Sequence, residues 1–243
     1  MTALLQACLN GARARADHPA LPVTPGDLAR DAKAVVAAGA QALHVHPRNG
    51  GGKQTLGPVQ VSAAIAAIRD AAPGTHVGVT TIATIERDPK RRVALVRRWT
   101  ETPDFASVNW GEEGGPALVS ALVEREIAIE VGIWTVEDAR RFVESDLAKF
   151  CLRALVEPTE QQTGGALATA EAIAEVLRPL GLPLVVHGHE RTTWAVLRWA
   201  AAHGHGIRIG LEDTLTLEGG RPAKNNAELV AAAAKLASMG GGS

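Results

Sequence analysis

The sequence has no tyrosine, only three phenylalanines and five tryptophans, and just two cysteines in 243 residues. So little aromatic surface leaves no platform for stacked bases, which argues against a single-strand nucleic-acid module. Cys8 and Cys151 stand far apart, without the paired spacing of a thiolate metal site. Both read as small buried hydrophobes in a reducing cytoplasm. An excess of one charge is also missing. With 25 Lys and Arg against 26 Asp and Glu, the net charge is −1, too small a field to draw in nucleic acid or a membrane surface. No apolar run approaches the roughly 20 residues that span a bilayer. The N-terminus has no basic start followed by an apolar run, so no signal peptide is expected.

What is present is a regular alternation. Short β-type runs at residues 4–9, 42–47, 76–82, 105–110, 127–133, 152–158, 184–189 and 207–213 are each followed by a helical stretch. Thr24 before Pro25 and Asp27 places a helix cap, a first-turn proline and an acidic residue at one helix start. Thr135 before Glu137 and Asp138 repeats the pattern, and Gly39 marks a helix end. Eight such units in a chain of this length predict a closed (β/α)8 TIM barrel, with residues 1–243 as one domain. An open doubly wound sheet is the rival, weakened because no G-x-G-x-x-G follows the first strand. Residues 49–52, 111–116 and 164–165 read as loops at the C-terminal end of the barrel, and residues 240–243 as a flexible tail.

Barrel enzymes build their sites at the C-terminal strand ends, so polar residues there call for a chemical explanation. His44 and His46 close the second predicted strand. Side chains alternate along a strand, so the two imidazoles share a face about 6–7 Å apart. Alone, such a pair is also met as two hydrogen-bonded core histidines. Glu212 ends the eighth strand, which in a closed barrel lies one strand away from the second. Two imidazoles, one carboxylate and an open position make the ligand set of a catalytic zinc, although iron or manganese takes the same donors. His187 and His189 repeat the His-x-His pattern after strand seven and rival the first pair for the ion. Arg208 shares a face with Glu212 and either binds a carboxylate or forms a structural ion pair. Asp213 points the other way unless the strand has already bent. Thr80, Ser107, Asn109, Glu130 and Glu157 stand on or at the ends of their strands, as substrate contacts or as a satisfied polar layer. The basic residues Lys90, Arg91, Arg92, Arg97 and Arg98 read as a solvated helix face, while His18, His76, His203 and His205 lie away from the chemistry.

These stretches resemble the β-keto acid cleavage enzymes. The likeness rests on Asn10-Gly11-Ala12-Arg13, on Ala38-Gly39-Ala40 leading to His44-Val45-His46-Pro47-Arg48, and on Ser107-Val108-Asn109. Ile207 through Thr214 and Asn226-Ala227-Glu228 complete it. The resemblance implies a zinc-dependent barrel that condenses a β-keto acid with acetyl-CoA, releasing acetoacetate and a new acyl-CoA. It places zinc on His44, His46 and Glu212, and makes Arg208 and Asp213 a coupled pair that assists deprotonation. Substrate contacts fall on Thr80, Ser107 and Asn109, and the assembly is a homotetramer or a dimer. Arg13 replaces an acidic residue of the family's named enzyme, Gly132 replaces another, and Thr81-Ile82-Ala83 replaces a Thr-Gly-Gly loop, so an amino-bearing substrate is not expected. Two other classes remain: a CoA-independent metal-dependent aldolase, lyase or hydrolase of a small oxo-acid, and a non-enzymatic metabolite-binding barrel. CoA dependence separates the first from the reading above. The second predicts that losing His46 leaves ligand binding intact.

Overall fold

A computed structural model describes residues 3–239, and the Gly-rich stretch at 240–243 lies outside them. The chain alternates strand and helix: β1 (Leu5–Cys8), α1 (Pro25–Ala37), β2 (Ala42–Val45), α2 (Pro58–Ala71), β3 (His76–Thr80), α3 (Pro89–Arg97), β4 (Phe105–Asn109) and α4 (Gly115–Glu124). The second half continues with β5 (Ala128–Ile133), α5 (Val136–Glu144), β6 (Cys151–Val156), α6 (Thr163–Leu177), β7 (Leu184–Val186), α7 (Thr193–Ala202), β8 (Gly206–Ile209) and α8 (Asn226–Met239). All eight strands pair in parallel with their sequence neighbours, and β8 closes on β1. The expected barrel is therefore the observed one.

Local signals explain the elements. Thr24 and Asp27 form a reciprocal capping box on α1, and Thr135 caps α5 through Asp138; each such cap stabilises its helix by about 1 kcal/mol. Gly39 follows α1 with φ +113, a conformation that side chains other than glycine rarely adopt. The strands are buried on both faces, as parallel strands covered by helices must be. Leu43, Val45, Ala106 and Val108 pack outward in the apolar layer beneath the helices. Inside the barrel Phe105 fills the space that Gly78 leaves open, since a Cβ there would sit 2.0 Å from the ring.

Four expectations are corrected. Strands β2, β7 and β8 end at Val45, Val186 and Ile209, so His46, His187, His189, Glu212 and Asp213 lie just beyond the ladder. Gly164 and Gly165 belong to the first turn of α6, and Gly115 and Pro116 to the first turn of α4, rather than to loops. Arg92 is not on a solvated face: it is 1% exposed and donates to Glu112 Oε2 at 3.1 Å and to the Glu113 carbonyl. Cys151 is only half-buried. No helix among the described residues is long and apolar enough to cross a membrane.

Candidate metal centre

Strand order brings the site together. Cys8 stands opposite His44 in the β1–β2 ladder, and Ala7 opposite Ile209 in the β1–β8 ladder. One strand thus separates the ends of β2 and β8, roughly 10 Å at normal strand spacing. After Ile209 the backbone turns at once, with Asp213 and Thr214 N–H groups returning to the Gly210 carbonyl. Gly210 permits this, because a Cβ there would lie 1.8 Å from the Cys8 carbonyl oxygen. The buried Asn226 side chain pins the turn: Oδ1 accepts from Leu211 N at 2.6 Å, while Nδ2 donates to the Leu9 carbonyl at 2.8 Å and to Asp31 Oδ2 at 2.6 Å.

His44, His46 and Glu212 then offer ligand atoms that all lie within 4.8 Å of one another. The histidine rings meet edge to face with centroids 5.2 Å apart, and His46 Nε2 is 3.4 Å from Glu212 Oε1. A divalent ion fits this cluster on a specific ground. His44 Nδ1 and Glu212 Oε2 are buried without a hydrogen-bond partner, and a buried unpaired polar atom costs about 1–3 kcal/mol. Burial pushes the His44 pKa well below its usual range, against the pull of Glu212, so the ring is neutral. Burial works against ionisation of Glu212, but the Arg208 guanidinium overcomes it and holds the carboxylate well below its usual range. Neutral imidazole and ionised carboxylate are the forms that bind metal.

A second polar group adjoins the first. Arg208 Nη2 donates to Glu212 Oε1 at 2.5 Å and reaches Asp213 Oδ1 at 3.4 Å. The strand has therefore bent before Asp213, which joins Arg208 and Glu212 instead of pointing away. His187 does not stand with the strand-two histidines. It sits between two carboxylates, with Nε2 3.0 Å from Glu157 Oε2 and Nδ1 3.2 Å from Asp213 Oδ1. Burial and Arg208 oppose a charge on that ring, yet Asp213 and Glu157 push its pKa up to about 9. Glu157 is held below its ordinary value in spite of burial, by His187 and Arg208. Cys8 donates to Asp213 Oδ2 at 2.6 Å. Burial, with Asp213 beside it, raises the Cys8 pKa well above the usual thiol value, so Cys8 acts as a donor.

A cavity of about 380 Å3 opens onto this group, lined by Ala12, Arg13, His46, Ile82, Glu157, His187, His189, Arg208, Glu212 and Asp213. Arg13 is fixed there by the Leu211 carbonyl at 2.6 Å and Glu190 Oε1 at 2.5 Å. Thr80, Ser107 and Asn109 do not line it. Thr80 Oγ1 accepts from Ile82 N, and Ser107 is 7% exposed. Asn109 lies beside Glu157 over Gly132, where a Cβ would meet Asn109 Oδ1 at 2.6 Å and Glu157 Oε1 at 3.1 Å. Glu130 belongs to an interior polar layer, accepting from Arg153 Nε at 2.6 Å and from Gln6.

Residues 3–242 match the family described as beta-keto acid cleavage enzyme. The chain belongs to that family. A "3-keto-5-aminohexanoate cleavage enzyme" of Fusobacterium nucleatum is 25% identical, over 96% of this chain and 90% of that one. A "3-oxoadipate:acetyl-CoA acetyltransferase" of Cupriavidus necator is 26% identical, over 90% of this chain and 82% of that one. Among solved structures, a 3-dehydroquinate dehydratase from Geobacillus kaustophilus superposes with a TM-score of 0.62 at 13% identity, covering 98% of this chain and 90% of that one; this shows the barrel fold alone.

Cys8, Asn10, Asn226 and Gln54 are further members of the site that residue-level reading of the sequence does not single out. Cys8 was visible as a polarisable side chain at a strand end, the position where barrels carry chemistry. Asn10 and Asn226 sat in the stretches that carried the family likeness. Gln54 gave no signal, eight residues past His46 in a glycine-rich loop.

Proposed function

We propose that this chain condenses a β-keto acid with acetyl-CoA, giving acetoacetate and a new acyl-CoA, at a centre where His44, His46 and Glu212 hold zinc. The observation that carries the reading is the convergence of two imidazoles and a carboxylate, with two buried polar atoms, His44 Nδ1 and Glu212 Oε2, unpaired among them. A bound zinc supplies Lewis-acid polarisation of a substrate oxygen. The remaining work falls to the chain's own side chains.

Asp213 is the base in this reading. Cys8, His187 and Arg208 surround its carboxylate within 3.4 Å, and a carboxylate has about four acceptor sites. One site is left for a proton from the carbon between the two carbonyl groups. The arginine and the imidazolium keep Asp213 oriented and offset its charge. The resulting carbanion attacks the acetyl carbonyl, and CoA thiolate leaves. That thiolate then attacks the original keto carbon and breaks the bond to carbon 2. Acyl-CoA departs, and the acetoacetate carbanion regains the proton. Glu157, which lines the cavity, provides a polar contact, and Asn109 stands beside it over Gly132; Thr80 and Ser107 remain proposed contacts of the same reading. Arg13 places a cation in the cavity wall, which suits a side chain ending in an acceptor or an anion and opposes an ammonium group. The acetyl-CoA part of the reading draws on the printed name of the Cupriavidus necator relative. Assembly as a homotetramer or dimer belongs to the same proposal.

The test is incubation of the zinc-loaded protein with a panel of β-keto acids and acetyl-CoA, measuring acetoacetate. Acetoacetate that depends on both substrates is expected. Cleavage without acetyl-CoA would move the protein to the CoA-independent lyases, and no product from any keto acid would overturn the reaction.

A further inference from the structure

The loop after β2 contains three consecutive glycines, and nothing in the reaction above accounts for its shape. It is a short hairpin. Arg48 and Gln54 pair as an antiparallel bridge. Asn49 N donates to the Lys53 carbonyl and Thr55 N to the Pro47 carbonyl, both at 2.9 Å. Asn49 Oδ1 accepts from Gly51 N at 3.0 Å and Lys53 N at 3.1 Å, which ties the turn internally. Gly52 supplies the positive φ of +76 that the turn requires. The Arg48 guanidinium then fastens the hairpin to the first loop, donating to the carbonyls of Gly52 at 2.9 Å, Gly11 at 2.8 Å and Arg13 at 2.6 Å. A loop so heavily tied holds whatever it carries in one place.

What it carries to the site is Gln54, whose Oε1 contacts His46 Nδ1. The two ring nitrogens of a neutral histidine differ: one bears the proton, the other the lone pair. An acceptor on Nδ1 draws the proton there and leaves the lone pair on Nε2, the atom facing Glu212. We propose that Gln54 is a positioning residue that fixes the His46 tautomer and ring orientation so that Nε2 serves as a metal ligand. This rests on the metal reading given above. Asn10 complements Gln54 from the backbone side, accepting from His46 N at 2.9 Å and donating to the His46 carbonyl at 3.0 Å. The imidazole is thus held at its main chain and at the ring nitrogen pointing away from the cluster. Outer partners of this kind typically govern metal affinity by tenfold to a hundredfold.

The experiment compares zinc affinity, by competition with a chromophoric chelator, for the wild type, Gln54→Leu, Gln54→Glu and His46→Ala. Circular dichroism of the metal-free chains checks that each is folded. Nitrogen-15 NMR of the histidine rings in the metal-free wild type and Gln54→Leu reports the tautomer without reference to activity. Gln54→Leu should bind zinc about ten- to a hundredfold more weakly and lose the preference for a proton on Nδ1. Gln54→Glu keeps an acceptor in place and should restore both. Equal affinity of wild type and Gln54→Leu would overturn the role of Gln54 while leaving the metal centre intact, and so would a wild-type His46 found protonated on Nε2. A wild type that takes up no zinc would overturn the metal reading, and this inference with it.

Discussion

At the scale of single residues, the site depends on atoms left out as much as on atoms present. Gly11 has φ +53, and a Cβ there would meet Glu212 Cγ at 2.3 Å. No rotation of a methyl group relieves such a contact, so either the loop or Glu212 must move. Gly11→Ala should therefore weaken zinc binding at least tenfold. The left-handed backbone adds about 1 kcal/mol of strain. Isothermal titration with zinc, beside a melting curve of the metal-free variant, separates the two effects; unchanged zinc affinity would show that Glu212 is not held where Gly11 leaves room. Sequence reading reached the three proposed ligands because alternation along a strand puts His44 and His46 on one face, wherever the strand ends. It did not reach Cys8 as a partner of Asp213. Burial alone explains an ordinary cysteine, and only the turn at Gly210 carries a carboxylate to within 2.6 Å of it.

At the scale of elements, helices α1 and α8 are coupled to the site through Asn226. Its amide donates to Asp31 on α1, and burial raises the Asp31 pKa to about 6, against the lowering effect of that hydrogen bond. The sign of the linkage follows. The native state holds the proton more tightly than the unfolded chain, whose carboxyl titrates near 3.8. The associated stability is complete below pH 3.8 and is lost as pH rises through about 6. Over that window the loss is on the order of 2–3 kcal/mol. Asp31→Asn keeps an acceptor for Asn226 without the charge, so it should match the wild type near pH 4 and exceed it at pH 8. Urea unfolding of both proteins across this range measures the difference; parallel profiles would mean that Asp31 is not the group responsible. The helix starts were legible, since capping chemistry is local. The strand ends were not, because a bent chain and a straight one carry the same residue pattern.

At the scale of the whole molecule, the metal reading predicts a stability that depends on free zinc. A ligand that binds only the native state stabilises it by about 2.7 kcal/mol at a hundred times Kd, roughly 5–10 °C of melting temperature for a domain of this size. Differential scanning fluorimetry should show this rise, with reversal by a chelator and no response in His46→Ala. A melting point indifferent to every divalent ion would remove the centre and leave only the barrel. Eight βα units were readable from the chain because hydrophobic periodicity and caps are properties of neighbouring residues. The same local logic identified His44, His46 and Glu212, since strand order in a closed barrel follows chain order. The surroundings of those residues came from folding alone. The salt link from Arg208 to two consecutive carboxylates depends on distances set by a turn. So do the placement of His187 between Glu157 and Asp213, and the hairpin that brings Gln54 to His46. His187 joins residues far apart in the chain, while the Arg208 and Gln54 contacts are close in sequence but depend on how a turn and a hairpin bend the backbone; in both cases the geometry is a product of packing.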